Sequence, residues 1–272
     1  MLAANERPAL SHGRCQVASP SLRAIVGSAE TRIAVVIPAY NEVASIRDVA
    51  SRALAQTSLV VIVDDGSEDG TAQTLSDLPV VVLRNPLNLG KGASLMRGLR
   101  YSLERGVAAA ITLDGDGQHS PEDIPRLLTK AEHCPAHIVI GARLQDKAAI
   151  PSRRYYANKV ANFWISWAAG YAIEDSQSGF RLYPASLLRQ PRIASIKARR
   201  FEFESEVLIE AARLGFHSTA VPIAAVYGSQ GRDSHFRPVV DIARITRMVA
   251  WKLLSRGLYL PGLYRVFFQR NG

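Results

Sequence analysis

Cysteine is nearly absent from this sequence. Its 272 residues contain two, Cys15 and Cys134. That is too few for a disulfide framework, and the pair lacks zinc-site spacing. Two free thiols suit a reducing compartment. A long apolar run is also missing. A membrane-spanning helix needs about 20 apolar residues, whereas the longest uncharged candidate, Val160 to Ile173, has 14 and includes Asn162 and Ser166. The N-terminus lacks the compact basic–apolar–small order of a secretory signal, because Glu6, Pro8, His12 and Arg14 interrupt it. The expected location is cytoplasmic, with peripheral membrane contact left open. Glycine (19) and proline (14) are too sparse for collagen-like or low-complexity structure.

What is present is material for a core. Apolar residues make up 47% of the chain and charged residues 21%, which excludes a disordered polymer. The net charge of +9 is unevenly placed. Residues 1–140 carry 13 Lys/Arg against 15 Asp/Glu, while residues 141–272 carry 20 against 9. A basic second half points to an anionic partner such as a phosphate or an anionic membrane surface. No recognised nucleic-acid motif accompanies it.

Residues 1–30 show no sustained period and read as a flexible leader. From Arg32 onward, short apolar runs alternate with helical periodicity. Strands are predicted at Ile33–Ile37, Leu59–Val63, Val80–Leu83, Ala108–Leu113 and His137–Ile140. Helices are predicted at Val43–Ala55, from Thr71, at Gly92–Glu104 and at Pro121–Ala131. This alternation predicts an α/β fold around a mainly parallel sheet. In such sheets ligands bind beyond the carboxyl ends of the strands.

Four polar clusters stand at those ends. They are Pro38-Ala39-Tyr40-Asn41-Glu42, then Asp64 to Thr71, then Asn88 to Gly92, then Asp114-Gly115-Asp116-Gly117-Gln118-His119. Carboxylates packed so closely repel one another unless a cation or ligand neutralises them. Asp114 and Asp116, two apart at a strand end, are oxygen ligands of the kind that magnesium or manganese takes. The plainer reading is an Asp-rich turn capping the next helix.

The segments IPAYNE, VDDGSEDGT, NLGKGASLMRG and LDGDGQH occur in this order, and DSQSGFRLY at Asp175–Tyr183 adds a fifth. As an ordered set they resemble the family 2 glycosyltransferases, inverting enzymes of the GT-A fold, and most of all the dolichyl-phosphate mannose synthase-like subgroup. The resemblance covers roughly residues 31–240. It implies a donor-nucleotide half at 31–140 and an acceptor half at 141–240, followed by a C-terminal amphipathic segment at 241–272.

The resemblance also implies roles. Asp114 and Asp116 match the DxD pair that reaches Mg2+ or Mn2+ on the donor diphosphate, and Gln118 joins that metal shell. Asp65 matches the carboxylate that reads the nucleotide base, which suits uracil or guanine alike. Pro38, Tyr40 and Glu42 match the nucleotide-pocket wall, and Lys91 is a further candidate contact. Asp116 and Asp175 are the catalytic candidates, with Asp175 on the acceptor side, where a hydroxyl acceptor would need a general base. Arg143, Arg153 or Arg154, Arg181 and Arg237 are candidate grips for phosphate, since guanidinium binds phosphate through paired hydrogen bonds. Arg237 lies in YGSQGRDSHFRP, which reads as a mobile loop. There, His235 departs from the lysine that many relatives carry. Glu204 and Glu206 match an acidic helix start, which the helix N-terminus explains by itself.

The implied activity is transfer of a sugar from a UDP- or GDP-linked donor to a polyisoprenyl phosphate or other lipid-linked acceptor. The same fold acting on a hydroxyl is the first rival. A nucleotidyltransferase is disfavoured because PAYNE has no glycine, and an inactive binding module because Asp114, Asp116 and Asp175 are intact. Two segments suggest contact with an anionic membrane. One is the aromatic stretch Tyr155–Tyr171. The other is a C-terminal helix with Ile242, Ile245, Val249 and Leu253 on one face and Arg244, Arg247, Lys252 and Arg256 around it.

Overall fold

The computed structural model describes residues 32–143, 152–197, 200, 202–224 and 238–268. The leader, the 225–237 loop with Arg237 and His235, and the side chains of Arg153 and Arg154 lie outside the described residues.

Among the described residues seven strands form one sheet, in the order β3-β2-β1-β4-β6-β5-β7. They are β1 (Ile33–Ala39), β2 (Leu59–Asp64), β3 (Val81–Arg84), β4 (Ala109–Thr112), β5 (Ile138–Ala142), β6 (Arg181–Pro184) and β7 (Ser218–Pro222). β1 pairs in parallel with β2 and β4, β2 with β3, and β5 with β7. β6 runs antiparallel between β4 and β5. The mainly parallel sheet is as expected; the inserted antiparallel strand is the added feature.

The longer helices are α1 (Ile46–Leu54), α2 (Lys91–Glu104), α3 (Ile124–His133), α4 (Ser152–Ala169), α7 (Glu202–Arg213), α8 (Pro238–Leu254) and α9 (Leu260–Phe268). Two short turns of helix, α5 (Ala185–Leu188) and α6 (Pro191–Ala194), follow β6. Strands β1, β2 and β4 are apolar up to their carboxyl ends because helices cover both faces. Successive residues of β1 alternate between the two layers. Val35 and Ile37 pack with Ile46, Val49 and Leu127 on the α1/α3 side, while Val36 packs with Leu95, Leu99 and Phe203 on the α2/α7 side.

The helix expected from Thr71 is one 3-10 turn, Gln73–Leu75. Asp69 accepts the Thr71 N–H and binds its hydroxyl, and Pro79 follows closely, so no room remains for a longer helix. α1 begins at Ile46 rather than Val43; a turn closed by the Ser45 N–H on the Glu42 carbonyl precedes it, and the Val43 N–H donates to Asp69.

The C-terminal helix does not offer its expected apolar stripe to a membrane. Val249 and Leu253 are buried in the main core, and Ile245 packs against it; Ile242 is exposed. Lys252, expected to flank a lipid face, is held by α7: Nζ lies 2.7 Å from Glu206 Oε1 and 2.6 Å from Glu210 Oε1. Glu210 also binds Arg192 and Arg213, each at 2.8 Å. α8 then turns through Leu258 and Tyr259, both at positive φ, into α9. The Trp167 indole N–H donates to the Tyr259 carbonyl at 3.2 Å and fixes that turn on α4.

Candidate functional site

The loops after β1 and β2 are zipped together. The Asn41 N–H donates to Ser67 Oγ, the Glu42 N–H to Thr71 Oγ1, and the Glu68 N–H to Asn41 Oδ1. Asn41 adopts a left-handed backbone, φ 56°, which asparagine tolerates better than most residues. Pro38, Tyr40 and Glu42 are part-exposed along this edge. Gly66, at φ +76°, has space for no Cβ: one would stand 2.8 Å from the Leu87 carbonyl carbon. That absence lets the second loop press on the third.

Asp65 organises the third loop. Its carboxylate accepts the Asn85 side-chain N–H at 2.7 Å and the N–H groups of Leu89 and Gly90 at 3.0 and 2.8 Å. The side chain that the resemblance gives to the nucleotide base is thus buried and already holds three donors. Those bonds shape the turn that starts α2 and so aim Lys91 across the sheet edge.

Lys91 meets the fourth cluster. Its Nζ lies 2.6 Å from Asp114 Oδ1 and 3.1 Å from Glu204 Oε1. Burial works to raise the Asp114 pKa, but the Lys91 charge outweighs it, with His119 and Arg143 adding, and the carboxyl is held down to about 2. Burial opposes the charge on Lys91, and the two carboxylates overcome that opposition and push its pKa above the ordinary lysine value. Asp116 behaves oppositely. Burial first, then the Asp114 charge, raises its pKa, against a hydrogen bond from the Gln118 N–H at 3.0 Å. The buried His119 is pushed down to about 3 by burial, and neither of its ring nitrogens has a hydrogen-bond partner. Its Nδ1 is 3.8 Å from Asp114 Oδ2, and its ring packs on Phe180.

A divalent cation fits Asp114 and Asp116 chemically. Both offer hard carboxylate oxygens on one short turn, and a cation would relieve the repulsion that raises Asp116. Among the described residues no group of three His, Cys, Asp or Glu converges as a complete metal cage. The fit is therefore to an ion that keeps water or substrate oxygens, as magnesium and manganese do.

Beyond the end of β5, Arg143 and Asp175 stand together. Asp175 is fully buried, accepts the N–H groups of Arg143 and Gln177 at 3.1 and 3.2 Å, and lies 3.9 Å from Arg143 Nε. Arg181 requires a correction. It is fully buried and donates to the carbonyls of Ser178, Glu204 and Ser176 at 2.7, 2.6 and 2.8 Å. It is a strut inside the protein, not a grip for phosphate, because its donors face carbonyls. Glu204, explained above by its helix start, is instead carried into the cluster by this strut. The spacing Phe201-Glu202-Phe203-Glu204 places a carboxylate there, but only the antiparallel β6 shows which one turns inward.

The family model described as "Glycosyl transferase family 2" matches residues 34–191. Among curated relatives, an undecaprenyl-phosphate mannosyltransferase of Micrococcus luteus is 30% identical over 240 residues, covering 83% of this chain and 96% of its own. A UDP-N-acetylglucosamine–dolichyl-phosphate N-acetylglucosaminyltransferase of Methanococcus voltae is 30% identical, covering 73% of this chain and 87% of its own. A polyprenol monophosphomannose synthase of Mycolicibacterium smegmatis is 30% identical, covering 71% and 76%. Among solved structures, glucosyl-3-phosphoglycerate synthase of Mycobacterium tuberculosis bound to UDP superimposes with a TM-score of 0.57 at 20% identity, over 92% of this chain and 86% of its own. The same enzyme with Mn2+, UDP and glucosyl-3-phosphoglycerate gives 0.56 at 19% identity, over 93% and 86%. These likenesses carry the GT-A fold.

Proposed function

The chain belongs to glycosyl transferase family 2, and from that premise we propose that it moves one sugar from a nucleotide-diphosphate donor to a polyisoprenyl phosphate. The observation that carries the proposal is the meeting, at one sheet edge, of the Asp114–Asp116 pair with Arg143. This is a carboxylate pair of the kind a divalent cation takes, with a guanidinium near both and a buried carboxylate 3.9 Å behind it. Relatives named for undecaprenyl-phosphate, dolichyl-phosphate and polyprenol substrates support the acceptor class.

In this reading the loops after β1 and β2 receive the nucleoside, with Pro38, Tyr40 and Glu42 as wall. Asp65 keeps one Oδ2 lone pair for a ring N–H while it holds the Leu89–Gly90 turn. Asp114, Asp116 and Gln118 would hold Mg2+ or Mn2+, which would supply positive charge for the departing diphosphate. Arg143 grips the acceptor phosphate. Asp175 positions Arg143 and is not the base. Its carboxylate is fully buried and accepts the Arg143 and Gln177 N–H groups, and an ionised phosphate nucleophile needs no base. Attack from the face opposite the diphosphate inverts the anomeric centre.

Peripheral membrane contact is part of the proposal, through a different face from the predicted stripe. No described helix is long and apolar enough to cross a membrane. However, Trp251, Leu254, Tyr264, Phe267 and Phe268 are exposed on α8 and α9, and Trp164 on α4. The Phe163 and Phe267 rings, 5.7 Å apart, join the α4 and α9 surfaces. Exposed aromatic residues beside Lys159, Arg256 and Arg265 suit an anionic lipid interface.

The test is calorimetric titration of UDP and GDP with and without Mn2+, followed by incubation of the labelled donor with a polyisoprenyl phosphate. The expected result is metal-dependent binding of one nucleotide and a product that extracts into organic solvent and releases its sugar in mild acid. A product resistant to mild acid would establish a glycoside and a hydroxyl acceptor instead.

A further inference from the structure

Lys91 already occupies the carboxylate cluster. Its Nζ lies between Asp114 Oδ1, at 2.6 Å, and Glu204 Oε1, at 3.1 Å. Both carboxylates converge above Gly179. A Cβ at that position would stand 2.7 Å from Asp114 Oδ2 and 2.9 Å from Glu204 Oε1. Glu204 is held there from behind, since Arg181 donates to its carbonyl at 2.6 Å. Polar capacity remains unused around this point. Glu204 Oε1 is buried with the Lys91 ammonium beside it, and both ring nitrogens of the buried His119 lack hydrogen-bond partners.

We propose that Lys91 is a resident counter-cation for the Asp114–Glu204 pair, and that Glu204 is a further residue of the donor site. Lys91 keeps Asp114 from taking a divalent cation alone. The diphosphate of the donor draws Nζ away, and Asp114 is then free for the metal, while Glu204 keeps the ammonium close by. A cation already in contact with a carboxylate repels a second one and weakens its binding there. An ammonium on a flexible four-carbon stem can change partners without moving the backbone. Metal and nucleotide therefore bind as coupled ligands, and the coupling is reciprocal. The inference rests on the donor site proposed above.

The experiment counts free Mn2+ by electron paramagnetic resonance during titration of the full chain, without nucleotide and with UDP or GDP. It compares wild type, Lys91→Met, Lys91→Arg, Glu204→Gln and the Lys91→Met/Glu204→Gln pair, each checked for folding by circular dichroism. Without nucleotide, Lys91→Met binds Mn2+ at least tenfold tighter than wild type, Lys91→Arg stays near wild type, and the double variant loses most of the gain. Nucleotide tightens Mn2+ binding less in Lys91→Met than in wild type. A folded Lys91→Met with unchanged or weaker Mn2+ binding overturns the proposal, as does a Lys91→Arg gain equal to that of Met. Should Lys91→Met fail to fold, Glu204→Gln decides: nucleotide-free Mn2+ binding at least threefold weaker than wild type supports the proposal, and unchanged binding overturns it. Failure of wild type to bind either nucleotide with Mn2+ present would refute the donor reading separately, because the Mn2+-only comparison does not depend on it.

Discussion

The Thr112 hydroxyl donates a 2.7 Å hydrogen bond to the carbonyl of Gly179. It ties the end of β4, which delivers Asp114, to the residue just ahead of β6, over which Asp114 and Glu204 meet. Gly179→Ala places a methyl group against both carboxylates. We expect at least a tenfold loss of metal-dependent nucleotide binding in calorimetry. The accompanying loss of stability in denaturant titration is about 1–3 kcal/mol, the usual range for overpacking. Wild-type binding by the variant would show that the carboxylates can move apart freely.

Asp116 carries a raised pKa, so the folded state holds its proton more tightly than the unfolded chain does. Stability from this group falls as pH rises from the ordinary aspartate value through the raised one. Asp116→Asn removes that penalty. Without metal at pH 7 it melts at or above the wild-type temperature, while Mn2+ and nucleotide raise the melting point of wild type only. Activity falls roughly 100-fold or more, as when one preorganised transition-state contact is removed. A variant that melts lower without metal would contradict the raised pKa.

His119 is neutral and buried, its pKa pushed down from 6.5 to about 3. The unfolded chain takes up its proton below pH 6.5 and the folded chain does not. Stability is therefore complete above pH 6.5 and declines as pH falls toward 3. At pH 5 this group accounts for about 2 kcal/mol of that decline. Comparing urea midpoints at pH 7 and pH 5 for wild type and His119→Gln checks it: the variant should show a visibly flatter dependence.

How far the site could be read in advance depended on which forces lay within a segment. The five strands from β1 to β5 declared themselves through apolar runs, and the clusters Pro38–Glu42, Asp64–Thr71 and Asp114–His119 followed from where those runs ended. β6 did not declare itself, because four residues, Arg181–Pro184, carry too little pattern and their direction is set by neighbours distant in sequence. The inward turn of Arg181 and the arrival of Glu204 were hidden for the same reason. The stripe of α8 was legible as amphipathic, yet its periodicity is identical whether the partner is lipid or protein. Glu206 and Glu210 on α7 decide the matter by holding Lys252.

That clamp can be tested on its own. Glu210 is nearly buried and faces Arg192, Arg213 and Lys252, so Glu210→Gln leaves three cations around a neutral amide. Breaking a buried pair from one side is strongly destabilising. Because Arg192 is half exposed, we expect a loss of about 2 kcal/mol in urea unfolding. Nucleotide binding at saturating Mn2+ stays at the wild-type value, because Glu210 faces Arg192, Arg213 and Lys252 and none of these is in the proposed donor site.

The exposed aromatic face gives a separate forecast. Trp251→Ser with Phe267→Ser should lower co-sedimentation with vesicles of anionic phospholipid about tenfold, in line with the apolar area removed. Nucleotide binding in solution should be untouched. Equal sedimentation of variant and wild type would move the contact to another surface.

The strand order also dictates a sequence of events during synthesis. β5 has hydrogen-bonded neighbours only in β6 and β7, so when residue 142 leaves the ribosome it has no place in the sheet. The four parallel strands β3-β2-β1-β4 can associate at once, and chains fold from the N-terminal side as they emerge. Only when Pro184 has been added does β6 slot beside β4 and give β5 its seat. A nascent chain arrested before that point displays all the nucleotide-side loops with an open sheet edge beside Asp114. The proposed donor pocket can thus exist in outline well before the second half of the chain completes it.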